Sequence, residues 1–447
     1  MGFITPLVPF VERRIIRMKK NINQIRTHII ILVLAPIIGL LALLLVHLLP
    51  TDIMRDHVYW SLGMIEQEFT DEVIVDGYPS TLTGNFTDCL MLHYAIYNNE
   101  AHSTLEQTLH MFRTETYNAE NDPEGWWPGQ SLKDYLEGVP QGREVEYSRY
   151  WHGYLVVLKP ILLLTSFNSI RLLNSALQLL LVGYIVLMLS KKAMNSTAMA
   201  YLFSLPFMFY VSTYASLSLS VCFYLMNLAV LFQLKRDQQL FDENKYGIFF
   251  LVVGISTSYF DLLTYPLITL VYPLCLFFVF HMDTLKSNLC KMIIYSIEWC
   301  VGYACMWASK WILTDIMLEG DIIKDALSTI QFRTQCVENV SRVEGFINAI
   351  SLHIQPFANW CYLMLILLFF VVVVIKMFRV GFFSTFKQLA KGSVFFVIAL
   401  YPFGWLFVIQ NHSVYHWQFT CRILSATIFA GVIAINTLVE EYSEKGK

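Results

Sequence analysis

The polar stretch Pro50–Gly153 lies between two apolar regions, and this division limits what the chain can fold into. Before it, Ile29–Leu49 carries no acidic or basic residue except His47 and is long enough to cross an apolar bilayer core of about 30 Å. After it, apolar runs recur from Tyr154 to Val439 with short breaks. The chain is 56% hydrophobic and only 15% charged, whereas soluble domains carry about 25% charged residues. These features predict an all-α membrane protein with about ten transmembrane helices and a large first extracytoplasmic loop containing interfacial helices.

Lysine and arginine positions set the expected orientation. Arg13, Arg14, Arg17, Lys19, Lys20 and Arg26 place residues 1–27 in the cytoplasm, and no small-residue cleavage site follows the first span. The first helix is expected over 28–49, ended by Pro50, with 50–167 outside. Tyr154–Phe167 is apolar but too short to span, so it reads as an interfacial segment. Counting it as a span would put Lys191-Lys192 and Lys235-Arg236 outside. Further spans are expected at 168–190, 197–213, 215–234, two within 247–281, 292–314, 356–375, 393–409 and 422–439. The region 168–314 thus holds helices 2–7, 315–355 is a second outer loop, 356–439 holds helices 8–10, and 440–447 is a cytoplasmic tail. Lys376, Arg379, Lys387 and Lys391 mark a basic inner loop. No internal repeat is visible, which argues against transporters built from repeats.

In this topology the unusual polar groups gather at the outer side: Asp88, Arg149, His152, Lys159, Arg171, Asp261, Lys310, His412, His416 and Arg422. A charge held at the membrane is costly and usually has a partner or a task. Each also has a structural reading. Asp88 suits the N-cap of a helix beginning at Cys89, and Asp261 suits a turn cap. Lys310 can snorkel, Arg149 can pair within the loop, and His412 and His416 share a helix face four residues apart. Trp126-Trp127 could stack on a sugar or pack the loop. Glu298 reads as paired within the bundle. Nine cysteines show no metal or redox spacing; Cys89 and Cys336 fall in outer loops and could pair. Sequons occur at Asn85, Asn195, Asn339 and Asn411. The net charge of −3 identifies no partner, and no nucleic-acid partner or fixed metal site is expected.

The layout resembles the GT-C superfamily of glycosyltransferases. The residues that carry the resemblance are the Asn168–Leu177 opening of the second helix after a juxtamembrane segment, with Phe86–Leu92, Tyr150–Tyr154, Tyr259–Asp261, Thr264–Pro266 and Trp307–Trp311. The opening is similar to lipid-A aminoarabinose and protein mannosyltransferases; the other blocks resemble membrane proteins of Gram-positive surface-polysaccharide loci. The resemblance implies an inverting transfer from a polyprenyl-phosphate-linked sugar donor to a glycan, teichoic-acid or lipid-linked acceptor outside the plasma membrane. It casts Asp88 as the base, with Asp52 and Asp56 as earlier rivals, since the family's acid usually follows the first helix sooner. Asp261 would be a second acid that orients the acceptor or holds a divalent ion. Lys310, His412, His416 and Arg422 would bind phosphate, with Arg149 and His152 also facing substrate. A polysaccharide polymerase or ligase is the first alternative, and a lipid-linked-sugar flippase or transporter the second.

Overall fold

The computed structural model describes residues 7–62, 73–78, 81–116, 127–139, 142–318, 320–336, 340–380 and 389–440. Trp126, Asn339 and Lys387 lie outside the described residues, as do the tail 441–447 and the side chains of Arg13, Arg14, Arg17, Lys19, Lys20, Lys376, Arg379 and Lys391. Among the described residues the chain is mainly helical, and five helices are long and apolar enough to cross a membrane. They are Asn23–His47, Phe167–Lys191, Leu217–Asp242, Leu285–Leu318 and Trp417–Leu438. Arg342–Phe357 and Trp360–Ile375 would make a sixth span if counted together, but they meet at 92°. Tyr246–Phe260, Ile268–Phe280 and Gly392–Val408 are shorter apolar helices.

Helix α1 covers Leu7–His47 and stops before Pro50. The polar stretch then folds as a small subdomain. It contains α2 (Thr51–Tyr59), α3 (Asn85–Ile96), α4 (Thr104–His110) and α5 (Pro128–Glu137). An antiparallel pair, β1 (Phe112–Glu115) and β2 (Arg143–Glu146), sets Phe112 against Glu146. Ser103 and Glu106 form a reciprocal capping box that starts α4. The subdomain core joins Leu92, Ala95, Leu109 and Leu132 to Trp151 and Leu155.

Helix α6 (Leu155–Leu162) has eight residues, about 12 Å at 1.5 Å per residue, and cannot cross a membrane. Helix α7 (Phe167–Lys191) follows, capped by Ser166. The segment expected as one helix over 197–213 is instead broken. It forms α8 (Asn195–Ser204), a single 3-10 turn at Pro206–Met208 and α9 (Tyr210–Ala215). Pro206 cannot continue the helical hydrogen-bond ladder, and Phe209 takes a left-handed φ of 51°. Next come α10 (Leu217–Asp242), α11 (Tyr246–Phe260), α12 (Ile268–Phe280) and α13 (Leu285–Leu318). The second expected loop contains α14 (Ile322–Thr334) and α15 (Arg342–Ile354). The chain closes with α16 (Trp360–Val380), α17 (Leu389–Ala399), α18 (Tyr401–Val408), α19 (Gln410–Tyr415), α20 (Trp417–Thr420) and α21 (Leu424–Glu440).

Contacts sort these helices into two ends. At one end Gln24 donates to the Asn244 carbonyl, His28 meets Glu298 at 3.1 Å, and Lys192 lies over the Phe280 ring. Glu298 therefore has its partner within the bundle. At the other end lie the polar subdomain, the N-termini of α7 and α10, the α11–α12 turn, the last third of α13, and α14 with α19. All nine cysteines are free, Cys89 and Cys336 among them.

Helices α11 and α13 pack closely, because two glycines remove the Cβ atoms at their crossing. A Cβ on Gly254 would lie 2.1 Å from the Trp299 carbonyl oxygen, and one on Gly302 would lie 2.1 Å from that of Leu251. Gly183, by contrast, faces open space. Gly254→Ala and Gly302→Ala are expected to lower the thermal unfolding midpoint of the purified protein by several degrees, as overpacking costs about 1–3 kcal/mol. Gly183→Ala, read in the same assay, is expected to leave it unchanged or raise it.

Candidate functional site

The N-terminus of α10 is a meeting point of the polar subdomain and the bundle. Asp88 lies in the first turn of α3 and is 1% exposed. Its carboxylate accepts from the backbone N–H of Leu217 at 2.9 Å, the N–H of Ser218 at 2.8 Å and the Ser218 hydroxyl at 2.7 Å. Asp88 thus caps a helix, but in trans: it satisfies the orphan donors of α10 rather than those of its own element. The Arg171 guanidinium, from the start of the second turn of α7, stands 3.9 Å from it and donates to the Asn85 side-chain carbonyl. Burial pushes the Asp88 carboxyl above its ordinary range, while Arg171 and the three α10 donors pull it back.

A groove of about 390 Å³, partly open and almost wholly apolar, begins next to this cluster at Ile170, the neighbour of Arg171, and at Leu217, whose N–H donates to Asp88. Its walls are α6, α7 and α10, with Val157, Ile161, Leu173, Leu177, Val221 and Leu228 along them. From Leu217 to Leu228 it runs about 16 Å along α10, close to half of a 30 Å bilayer core. Asn174, Ser220 and Tyr224 also line it, but they are hydrogen-bonded to one another.

The remaining sequence candidates are distributed rather than gathered. Lys310 is wholly buried and donates to the carbonyls of Leu109 at 2.7 Å and Thr108 at 3.2 Å, at the C-terminus of α4. Its ammonium also lies 5.7 Å from the Trp151 ring centroid. Lys159, on α6, treats α3 in the same way, donating to Ala95 at 2.7 Å. Two buried ammonium groups therefore cap the C-termini of two subdomain helices, where orphan carbonyls and the negative helix end favour a cation. Burial draws the Lys159 pKa down to about 8. Arg149 pairs with Asp325 at 2.8 Å, while Trp307 and Trp311 both donate to its backbone carbonyl. His152 has both ring nitrogens engaged, with the Tyr154 hydroxyl at 3.0 Å and the Tyr147 carbonyl at 3.1 Å. Arg422 donates to the Gln418 carbonyl of its own segment at 2.9 Å and reaches the α8–α9 break through the Ser212 hydroxyl at 2.6 Å, over the Phe209 ring.

Asp261 ends α11 and closes the following turn on itself, accepting from the Thr264 N–H at 2.9 Å and the Thr264 hydroxyl. The turn forces Leu263 to a left-handed φ of 64°, and its carbonyl accepts from His412 at 3.1 Å. The His416 ring lies 4.7 Å from that of His412 and is exposed. The expected phosphate group of Lys310, His412, His416 and Arg422 is thus divided among three places. Asp52 and Asp56 are exposed on α2, beside Arg55, Tyr59 and Leu136. Trp127 packs edge-on to Phe86 at 5.0 Å. Among the described residues no group of three or more His, Cys, Asp or Glu side chains could hold a metal ion. Arg333, which the sequence did not single out, donates to the Tyr150 hydroxyl near the two histidines. Nothing in the alternation of α14 distinguishes it from an ordinary solvated charge.

No protein-family model matches the chain, and no curated protein or solved structure matches it.

The lysine caps and the buried histidines make separate predictions. Lys310→Met leaves two carbonyls without their donor, so it is expected to destabilise the subdomain by about 1–3 kcal/mol; limited proteolysis within residues 50–153 is expected to speed up. Burial lowers both His93 and His152 from 6.5 to about 3. The folded protein keeps them neutral where the unfolded chain takes up protons, so stability is full above about pH 6.5 and falls as the pH drops toward 3. An acid titration of thermal stability is expected to lose several kcal/mol across that window, with His152→Gln flattening the slope.

Proposed function

We propose that the protein is an inverting glycosyltransferase of GT-C type, with about ten membrane spans and both termini cytoplasmic. It uses a polyprenyl-phosphate sugar and acts outside the plasma membrane. The observation that carries this reading is the apolar groove between α6, α7 and α10, which ends beside Arg171 and Asp88. A lipid tail fits such a groove, and its phosphate would then meet a guanidinium, which matches phosphate oxygens in a bidentate fork. The sugar would lie over the α10 N-terminus, with the acceptor hydroxyl arriving from the aqueous side.

The chemistry follows from that placement. The acceptor oxygen attacks the anomeric carbon from the face opposite the phosphate. The carbon–oxygen bond to phosphate breaks, the lipid phosphate leaves with the electron pair, and the configuration inverts. The hydroxyl proton passes to a carboxylate acting as general base. Asp88 is the acid beside the groove. In the arrangement described, Arg171 faces it. A donor phosphate that draws Arg171 away would remove that stabilisation of the carboxylate, raise its pKa and make it a stronger base. The phosphate's developing charge is met by Arg171 in a site with little competing water. Asp261, closed on Thr264, would hold the shape of the α11–α12 turn.

Purified protein in nanodiscs is expected to transfer sugar from a polyprenyl-phosphate donor. Asp88→Asn is expected to lower kcat by at least about 100-fold, the scale of general-base loss, and Leu173→Trp to raise KM for the lipid donor by filling the groove. Ser218→Ala removes one donor to the carboxylate, so the acid limb of the pH–rate profile is expected to move to higher pH. A folded Asp88→Asn protein with full transfer activity would overturn the base assignment.

A further inference from the structure

The second outer loop brings a cation to the His412–His416 pair. Helix α14 ends against α19, where the Asn411 side chain donates to the Phe332 carbonyl at 2.9 Å and the Phe332 and Tyr415 rings meet at 6.1 Å. This contact sets Arg333 within electrostatic reach of both histidines. Arg333 is half-buried, lies 5.6 Å from the Tyr150 ring centroid and donates to the Tyr150 hydroxyl. No carboxylate lies within 4 Å of its guanidinium among the described residues, whereas Arg149, close by, is neutralised by Asp325. The guanidinium and the Tyr150 hydroxyl are donors with no anionic partner among the described residues, and the His416 ring, exposed, lies 4.7 Å from that of His412.

His412 adds a second observation. It is 4% exposed, and its Nε2 sits 3.1 Å from the Leu263 carbonyl, which can only accept. That contact fixes the proton on Nε2 and leaves Nδ1 as a bare acceptor. Nδ1 is buried and has no hydrogen-bond partner. A buried polar atom without a partner costs about 1–3 kcal/mol, and a protonated oxygen of a ligand would satisfy it. The cluster offers donors for an anion and one acceptor for a hydroxyl.

We propose that Arg333, His412 and His416, with the Tyr150 hydroxyl, form a second binding site, which takes a phosphate group and an adjoining hydroxyl of the acceptor. A phosphate monoester or diester next to a free hydroxyl has this chemistry. The assignment to the acceptor rests on the transferase reading above; the site itself does not. The donor side would lie at Arg171 and the acceptor side at Arg333, both at the same end of the bundle.

The test uses the full chain in a maltoside detergent, which contains no phosphate, and inorganic phosphate as the probe, followed by 31P line broadening. Wild-type protein is expected to bind. Arg333→Gln is expected to weaken binding by about tenfold or more, Arg333→Lys by less, as a lysine keeps the charge but loses the fork. Tyr150→Phe keeps the charge and loses only the hydroxyl, so it is expected to weaken binding by a few-fold even if Arg333→Gln folds poorly. Arg171→Gln is expected to leave this binding in place. Equal binding by folded wild-type and Arg333→Gln protein, or loss in Arg171→Gln alone, would overturn the site. Displacement of the probe by phosphatidylglycerol mixed micelles, in wild type but not in Arg333→Gln, would overturn the acceptor assignment and give the site to a lipid headgroup. Phosphate binding at Arg333 without any sugar transfer would defeat the transferase reading and with it the acceptor assignment, while leaving the site standing.

Discussion

The join between the polar subdomain and the bundle depends on one carboxylate placed against one helix terminus. Asp88 reaches from the polar subdomain to the first turn of α10 and accepts three hydrogen bonds there. The interaction joins two parts of the chain 129 residues apart in sequence. A buried carboxylate is costly alone, but here the helix's positive end and three donors offset that cost. The same contact fixes where α10 begins, and therefore where the apolar groove ends. Shape and charge at the candidate site are consequences of a single cap.

The lysines solve the converse problem at the subdomain's other helix ends. Helices α3 and α4 stop against the bundle, so their last carbonyls cannot be hydrated. Lys159 and Lys310 supply donors from α6 and α13. Neither has an acidic partner among the described residues; the carbonyl dipoles take that role. Trp151 donating to the Met306 carbonyl, and Trp307 and Trp311 donating to Arg149, lock the same seam. The subdomain is therefore held to the bundle by directional contacts at its helix ends as well as by apolar packing. That rigidity matters for a site built across the seam, because a carboxylate on α3 can be positioned against α7 and α10 only if α3 itself is fixed.

Much of the architecture was legible because it follows from composition and periodicity. Long apolar runs announced the α-helical membrane character, Pro50 marked the end of α1, and the shortness of the Tyr154–Phe167 run separated α6 from the spans. The break within 197–213 was harder: Pro206 is visible, but the left-handed turn at Phe209 is supported by Arg422, more than two hundred residues later. The charged candidates were legible as unusual residues and not as a site. Sequence shows that Lys310 and Asp88 stand out; only the packed structure shows that one caps α4 and the other caps α10. Arg333 carried no signal, since its significance comes from what lies beside it on α19.

The groove and the histidine cluster differ in lining and are built by different elements. The groove has essentially no polar lining. The cluster around Arg333 is polar, backed by aromatic rings of Tyr150 and Trp307, and belongs to elements that contact the groove only indirectly. Between them run α10, whose Leu219 carbonyl accepts from Tyr265, and the Asp261–Thr264 turn, whose Leu263 carbonyl holds His412. The turn meets the histidine pair through Leu263, and Tyr265, just past the turn, meets α10. A ligand that reoriented His412 would act on Leu263, and through Tyr265 on the first turns of α10, where Asp88 sits. The shared element is the Asp261–Thr264 turn, held by one buried aspartate.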